Sequence, residues 1–324
     1  MRLRRMATTL AAGVAAALAL SACGSDSTPA ATTTAPATTA PASSSAAASS
    51  EAPTSAGSET SSGGSETGSA TGSASAGDSK VLTDAAAGTL TIGIKFDQPG
   101  LGLLQPDGSY AGFDVEVAKG VAKELGVEES GITFVEAKSA EREGLIERGE
   151  VDFIVATYSI TDTRKEKVNF AGPYFIAHQD LLVKADNTDI TGPEAMGGKI
   201  LCSVTGSTSA QKVKDTYAAD VALQEFGTYS ECVENLRTGV VEAVTTDDVI
   251  LAGFAAQSPG EFKVVGNGFS DENYGIGLAK GDTAGTEAIN AAIEAMIADG
   301  SWAKALEDTV GPSGYTIPEP PTVG

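Results

Sequence analysis

The strongest constraint on this chain is a long segment that cannot contribute to a folded core. From Gly24 to about Lys80 the sequence is almost entirely Ser, Thr, Ala, Pro and Gly, without an aromatic residue. Such a segment cannot bury enough apolar surface to offset the conformational entropy lost on folding. We therefore predict a disordered linker over residues 23–80 and a folded body over about residues 81–310. The Pro- and Gly-rich tail, residues 311–324, is expected to be loose.

The N-terminus has the organisation of an export signal. Basic residues precede an Ala/Leu-rich run over 7–20, which is shorter than the roughly 20 residues that a membrane-spanning helix needs. The run ends in Leu-Ser-Ala-Cys at 20–23, a lipoprotein-type cleavage box. We predict that residues 1–22 are removed as a signal peptide. Cys23 would then carry palmitate and related lipid, which anchors the protein to the extracytoplasmic face of the cell membrane. The alternative is ordinary cleavage near Ala22, with Cys23 left as a thiol.

Composition argues against several kinds of function. The chain has 21 basic and 43 acidic residues, a formal net charge of −22, so a nucleic acid is not an expected partner. A single histidine, His178, and the lack of a Cys/His cluster in the sequence argue against a zinc site. The sequence contains no histidine motif, metal cluster or nucleophile elbow that would supply catalysis. We expect no cofactor, no metal and no enzymatic activity.

Two cysteines lie in the folded body. With Cys23 assigned to lipid, Cys202 and Cys232 remain, and an exported protein with one such pair is expected to form a disulfide. Closing a loop of about 30 residues would stabilise the fold by roughly 3–4 kcal/mol. The alternative is a pair of free buried thiols.

Short apolar runs alternate with amphipathic helical stretches from residue 90 onward. A continuous apolar run such as 151–156 is typical of a strand buried on both faces of a parallel sheet. The alternation predicts an α/β fold. The predicted strands are 90–94, 132–135, 151–156, 199–204, 221–226, 241–246, 262–265 and 274–279, and the predicted helices are 113–125, 139–148, 209–218, 230–238, 248–257, 287–298 and 302–306.

An internal repeat indicates two related lobes. The segments around Gly149 and Gly239 have the same order of residue types. In each, the glycine is followed by an acidic residue, an apolar strand and then polar residues. The polar residue is Thr157 in the first copy and Asp247 in the second. Open parallel sheets bind ligands at the carboxyl ends of their strands. Two such lobes facing each other would form a cleft.

The chain is predicted to return to the first lobe after completing the second. We assign residues 81–180 and 270–310 to the first lobe and residues 181–269 to the second. Two crossing strands, near 178–184 and 261–271, are expected to act as the hinge.

Four segments resemble a known family, in order and at the family's spacing. They are 93–100 (Gly-Ile-Lys-Phe-Asp-Gln-Pro-Gly), 112–115 (Gly-Phe-Asp-Val), 159–164 (Ser-Ile-Thr-Asp-Thr-Arg) and 170–174 (Phe-Ala-Gly-Pro-Tyr). Over about residues 90–308 the chain is similar to the polar amino-acid solute-binding proteins (family 3) that feed ABC importers. It most resembles the glutamate-binding lipoproteins of high-GC Gram-positive bacteria.

This resemblance implies both a fold and a function. The implied fold is periplasmic-binding-protein-like, type II, with two α/β lobes joined by a two-strand hinge around a ligand cleft. The implied function is that of a lipid-anchored receptor for free L-glutamate or a related acidic amino acid. The receptor would pass its ligand to an ABC permease and the ATPase of that importer.

The two charged ends of a free amino acid require opposite charges in the cleft, since each unpaired buried charge costs several kcal/mol. Arg164 is the candidate for the α-carboxylate, because a guanidinium matches a carboxylate with two parallel hydrogen bonds. The resemblance assigns the α-ammonium to the acid after a second-lobe strand, Asp247. Its neighbour Asp248 is the rival, or the cap of the following helix.

Three hydroxyl residues are predicted to complete the contacts to these ends. Thr157 and Ser159 should add hydroxyl or backbone contacts. Thr208 resembles the second-lobe residue that meets the α-carboxylate. Helix capping and turn formation are alternative roles for all three.

Selection of the ligand's side chain is predicted to depend on Lys95 and Arg142. Both match positions of cationic residues that meet the distal carboxylate in acidic-amino-acid members. With Arg164 and Asp247 they sum to a formal charge of +2, which favours glutamate over glutamine. The alternative is that both are solvated surface charges. Phe96 is expected to cover the ligand's aliphatic part, although a core aromatic would have the same sequence pattern.

Other functions stay open at this point. The same lobes could act as an amino-acid sensor that signals to a membrane partner, or they could prefer glutamine or aspartate. An enzyme is a third class, because some dehydratases share the fold.

Overall fold

The computed structural model describes residues 79–324. The predicted signal peptide, the lipid attachment at Cys23 and the linker up to residue 78 lie outside the described residues. Helix formation begins at Lys80, where the hydroxyl of Ser79 accepts a hydrogen bond from the Leu82 amide (3.2 Å). Over residues 79–324, none of the helices has the length and apolar character required to cross a membrane.

The chain up to residue 184 alternates strands and helices, as the α/β pattern predicts. In order, its elements are α1 (Lys80–Ala86), β1 (Leu90–Ile94), β2 (Asp97–Gln98), β3 (Gly102–Leu104), β4 (Tyr110–Ala111), α2 (Phe113–Glu124), β5 (Ile132–Glu136), α3 (Arg142–Glu147), β6 (Phe153–Ile154), α4 (Asp162–Lys165) and β7 (Asn169–Lys184). A 3₁₀ turn at Glu129–Gly131 precedes β5.

The remainder of the chain continues the alternation. Its elements are β8 (Ile200–Val204), α5 (Ser209–Thr216), β9 (Ala222–Phe226), α6 (Tyr229–Thr238), β10 (Ala243–Asp247), α7 (Asp248–Gln257), β11 (Phe262–Val264), β12 (Asp271–Leu278), α8 (Thr283–Ala298) and α9 (Ser301–Thr309). Short 3₁₀ turns lie at Pro193–Met196 and Gly311–Ser313.

The strands form two parallel cores that share β7. The order across the sheet is β5-β1-β6-β12-β7-β10-β8-β9, and β11 also pairs with β7. The part of β7 up to His178 pairs with β12, whereas the part from Gln179 pairs with β10 and β11. We call the part built on β5, β1, β6 and β12 the first lobe and the part built on β8, β9, β10 and β11 the second lobe. The chain passes from the first lobe to the second within β7. It returns to the first lobe through the irregular segment 265–270.

Several short elements differ from the sequence-based prediction. The strand expected at 151–156 is only Phe153–Ile154, and the helix expected at 139–148 is Arg142–Glu147. The small sheet β2-β3-β4 was not predicted, because strands of two or three residues have too few positions to show an alternating pattern.

The prediction of a loose tail is wrong. Tyr315, Ile317 and Val323 pack against the hydrophobic core. The Tyr315 hydroxyl also donates to Asp248 Oδ2 (3.1 Å). These apolar side chains bury surface that the Pro- and Gly-rich composition of the segment obscures.

A disulfide joins Cys202 on β8 to Cys232 on α6, as the sequence predicts. Their Cα atoms are 5.7 Å apart. The bond closes a loop of 30 residues within the second lobe, so the chain-entropy model attributes to it about 3–4 kcal/mol of stabilisation.

Candidate functional site

A small polar cavity lies between the strand ends of the two lobes. Its free volume is only about 10 Å³, so the two walls of the cleft are nearly in contact. Six of the eight predicted ligand-binding residues line it, whereas Lys95 and Phe96 do not. The lining residues are Ser139, Arg142, Thr157, Ser159, Arg164, Ser207, Thr208, Ser209, Tyr229, Thr246, Asp247 and Ile250.

The lobes contact each other across this cavity. Arg164 Nη2 in the first lobe donates to the Gly206 carbonyl in the second (3.0 Å). At the rim, the Ser230 amide donates to Asp97 Oδ2 (3.2 Å). Gly206 has a φ of +83°, and a Cβ there would lie 2.6 Å from Ala140 Cα. Glycine therefore permits the close approach that shuts the cleft.

Arg164 is fixed by its own lobe and points into the cavity. Its Nη1 donates to the Ser159 carbonyl (2.8 Å), and its Nε lies 3.5 Å from Glu143 Oε1. The Thr161 hydroxyl caps the short helix α4 by accepting from the Arg164 amide. Nη1 and Nη2 each carry a second N–H, which is suited to a carboxylate in the cleft.

Arg142 is buried rather than solvated, so the surface-charge alternative is wrong for this residue. Its side chain is only 2% exposed, and Nη1 lies 3.0 Å from the Ala156 carbonyl oxygen and 3.3 Å from that of Thr157. Its Cζ lies 4.0 Å from the centre of the Tyr158 ring. Burial, and then the charge of Arg164, lower the pKa of Arg142 to about 10. The guanidinium therefore stays charged at neutral pH.

Lys95 lies one side chain behind the cavity wall. It is 4% exposed, and its Nζ donates to Ser139 Oγ (2.8 Å). Burial, followed by the repulsion of Arg142, lowers the pKa of Lys95 to about 7. The surface-charge alternative is therefore wrong here as well, and the amine titrates in the physiological range.

Phe96 does not line the cavity. Its ring packs on Tyr110, with a centroid distance of 4.9 Å, and Tyr110 packs on Phe134 at 5.1 Å. The small sheet that carries Tyr110 draws Phe96 into this aromatic row. These contacts are those expected of a core aromatic, and the expected cover over a ligand stays a prediction.

Asp247 and Asp248 are adjacent but face different surroundings. Asp247 Oδ2 accepts from the Tyr274 hydroxyl (2.5 Å), and its side chain lines the cavity. Burial, and then the charge of Glu272, raise the pKa of Asp247 to about 7. Asp248 turns toward the hinge, where its Oδ1 accepts from the His178 amide (3.1 Å).

The three hydroxyl residues meet the cavity in different ways. Thr157 has a φ of +44°, and its Oγ1 lies 2.8 Å from the Ala156 carbonyl oxygen. Ser159 offers its carbonyl to Arg164. Thr208 occupies the N-cap position of α5 without a side-chain capping bond.

The sequence of residues 90–311 matches the bacterial extracellular solute-binding proteins, family 3. This chain belongs to that family. The match covers both lobes and every residue that lines the cavity. It agrees with the expected type II fold of two α/β lobes.

Named relatives of this solute-binding protein bind amino acids. It is 49% identical over 255 residues to the glutamate-binding protein GluB of Corynebacterium efficiens, covering 76% of this chain and 86% of the relative. It is 37% identical over 215 residues to the ABC transporter glutamine-binding protein GlnH of Bacillus subtilis, covering 66% and 78%. Among solved structures, an ancestral arginine-binding protein bound to glutamine matches with a TM-score of 0.65 and 37% identity, covering 69% of this chain and 98% of that one.

The charge count made from the sequence omitted two acids of this solute-binding protein. Asp114 is fully buried behind Thr157, and Glu143 lies beside Arg164. With both included, the formal charge around the site falls from +2 to zero. Net local charge therefore does not select an acidic ligand, and any selection must come from where the cations lie.

Sequence reasoning also missed five polar residues of the cavity wall: Ser139, Ser207, Ser209, Tyr229 and Thr246. Ser139 links Lys95 to the cavity, and the buried Tyr229 donates to Ser207 Oγ (3.2 Å). The position of Ser139, three residues before Arg142, was the available signal. Tyr229 is the first residue of α6, and the sequence around it did not indicate that its side chain lines a cavity.

Proposed function

We propose that this solute-binding protein is an extracytoplasmic receptor that closes on free L-glutamate and delivers it to the permease and ATPase of an ABC importer. The observation that carries the proposal is the presence of Arg164 and Asp247, one from each lobe, on the walls of one closed cavity. They supply the opposite charges that an α-carboxylate and an α-ammonium require. A ligand that bridges them would favour the closed state, because it binds that state better.

Glutamate is proposed as the ligand because two cations converge on one end of the cavity. Arg142 lines it directly, and Lys95 reaches it through Ser139. A distal carboxylate there would pair with the guanidinium of Arg142 and, through Ser139, with the amine of Lys95. The name of the glutamate-binding relative, 49% identical, supports this choice. The glutamine-binding relative makes glutamine the principal rival.

We further propose the lipid anchor at Cys23 and the division into a first lobe (81–180 with 270–310) and a second lobe (181–269). The anchor is supported by the sequence of the cleavage box alone. Mass spectrometry of the mature protein, with Cys23→Ala as the control, tests it. An unmodified Cys23 in the mature protein would contradict the anchor.

The experiment that tests the ligand is a thermal-shift screen of the full chain against all twenty amino acids. We expect glutamate to give the largest rise in Tm, because its distal carboxylate can pair with the cationic end while its α-groups occupy the zwitterion site; aspartate, one methylene shorter, is the acidic rival. A larger shift with glutamine or with a basic amino acid would contradict the assignment. We propose binding without chemistry, so chromatography of the released ligand should recover glutamate unchanged.

A further inference from the structure

The motif Gly-Phe-Asp-Val at 112–115 places a carboxylate in the interior of the first lobe. Asp114 is the second residue of α2 and is 0% exposed. Its Oδ2 accepts from the Thr157 amide (3.0 Å), and its Oδ1 accepts from the Tyr174 hydroxyl (2.7 Å). Asp114 does not line the ligand cavity, so the proposed function gives it no role.

The residue that Asp114 holds has a strained backbone. Thr157 has a φ of +44° and is the one non-glycine residue with positive φ between residues 79 and 324. A β-branched side chain disfavours this conformation, which persists only where the surroundings impose it. The hydrogen bond from the Thr157 amide to Asp114 is such a restraint.

The strained turn determines where two carbonyl groups point. In an extended strand consecutive carbonyls point to opposite sides. Here the carbonyl oxygens of Ala156 and Thr157 lie 3.0 and 3.3 Å from the same atom, Arg142 Nη1. The chain must turn at Thr157 for both to reach one guanidinium. Asp114, Thr157 and Arg142 thus form a continuous series of contacts from the core to the cavity wall.

We propose that Asp114 is a positioning residue for ligand specificity, which holds Thr157 in its left-handed conformation so that the carbonyls of Ala156 and Thr157 direct Arg142 into the cleft. The inference rests on the proposed function, because Arg142 is assigned there to the distal carboxylate. Asp114 acts through Arg142 and does not contact the ligand.

The surroundings of Asp114 suit a carboxylate that accepts hydrogen bonds. Burial raises its pKa to about 6, while the bonds from Tyr174 and Thr157 oppose that rise. The position in the first turn of the 12-residue helix α2 also favours a negative charge. The group is therefore mainly ionised at pH 7 and accepts from both donors.

Asp152 provides a matched control in the same lobe. It is also buried, and its Oδ2 accepts from the backbone amide of Thr91 (2.7 Å). Its other oxygen pairs with Lys80 rather than with a residue of the cavity. Removing either aspartate leaves a backbone N–H without its acceptor. Only Asp114 is connected to Arg142, through the contact that both make with Thr157.

The test compares Asp114→Ala with Asp152→Ala in the full chain. Calorimetric titration measures Kd for glutamate and for glutamine, and Tm measures stability. We expect both variants to lower Tm, but only Asp114→Ala to reduce the preference for glutamate over glutamine, by about tenfold. An unchanged preference in Asp114→Ala, with a lowered Tm as in Asp152→Ala, would overturn the proposal.

Two further variants separate positioning from charge and from folding defects. Glycine adopts positive φ without strain, so Asp114→Ala/Thr157→Gly should regain at least half of the lost preference on a logarithmic scale. Asp114→Asn keeps an acceptor for the Thr157 amide in a side chain of equal size. It should therefore fold and retain the preference to within about threefold. A full loss of preference in Asp114→Asn would overturn the inference even where the alanine variant does not fold.

The wild-type titration distinguishes the two proposals. A wild-type protein that does not prefer glutamate contradicts the proposed function. A wild-type preference that survives in the Asp114 variants contradicts the positioning role alone.

Discussion

The two walls of the cleft hold their charged groups in different ways. In the first lobe, Arg142 and Arg164 lie over the same Tyr158 ring, at 4.0 and 5.0 Å from its centre, and donate to carbonyls of their own lobe. In the second lobe, the carboxylate of Asp247 accepts from Tyr274, which belongs to β12 of the first lobe. Arg142 is thus held within the first lobe, whereas Asp247, and Arg164 through its bond to the Gly206 carbonyl, complete their contacts only where the lobes meet.

This difference assigns separate tasks to the walls. Arg142 can select among ligands before closure, because its hydrogen bonds lie within the first lobe. An acid whose environment changes on closure links binding to the closed state. We therefore expect first-lobe variants to change selectivity and variants of Asp247 to remove binding altogether.

The largest expected effect comes from Asp247→Ala. This change removes the partner of the α-ammonium, which all amino acids share, and leaves that charge buried and unpaired. The loss should be about a thousandfold in affinity for every ligand, measured by calorimetric titration. Retained micromolar affinity for any amino acid that the wild type binds would contradict the assignment. Asp248→Ala, which removes the acid facing the hinge, is the control and should retain binding.

The next effect is selective rather than general. Arg142→Gln should weaken glutamate by roughly 10- to 150-fold, the range for a hydrogen bond to a charged group, and glutamine by much less. The same titration with both ligands measures it. Arg148→Gln is the control, because Arg148 is exposed and pairs with Glu150. An equal loss of affinity for both ligands would show that Arg142 does not distinguish the side chain of glutamate from that of glutamine.

The main elements of the fold were predictable because their patterns are long enough to be read. Helix α7 was predicted at its observed bounds, and β1 likewise. The single long strand β7 was not recognised as such, since a strand that changes partners halfway has no uniform periodicity. The tail was mispredicted because Tyr315 and Ile317 are few among glycines and prolines.

The sequence predicted most of the site residues, but it did not predict the contacts that surround them. The sequence placed Asp247 at the end of a strand and Arg164 at the start of a helix, and the structure has them at the end of β10 and in α4. It could not separate Asp247 from Asp248, because one peptide unit reverses the direction of a side chain at the end of a strand. It also could not place Asp114 beside the cationic wall, since that contact joins residues 43 apart in the chain.

The pH dependence of affinity should also differ between the two walls. An α-ammonium favours ionised Asp247, whose pKa is about 7 in the protein alone, so affinity for every ligand should fall below pH 7. A distal carboxylate favours protonated Lys95, whose pKa is also about 7, so affinity for glutamate alone should fall above pH 7. On the acidic and on the alkaline side of the profile, the change in affinity approaches about tenfold per pH unit.

Titrations between pH 5.5 and 8.5 check this expectation. Glutamate should show a maximum near pH 7, and glutamine only the acidic limb. Lys95→Met should remove the alkaline limb for glutamate while leaving the acidic one. Superimposable profiles for the two ligands would show that Lys95 does not respond to the ligand's side chain.

The smallest expected effect concerns the tail, which touches both lobes at the hinge. The Tyr315 ring lies 6.5 Å from that of Phe175 in the first lobe, and its hydroxyl donates to Asp248 in the second. Atoms at a hinge move least on closure. Tyr315→Phe should therefore lower the free energy of unfolding by about 1 kcal/mol and change glutamate affinity less than about threefold. Tyr110→Phe, remote from the hinge, is the control, and a larger loss of affinity in Tyr315→Phe alone would show that the tail acts on closure.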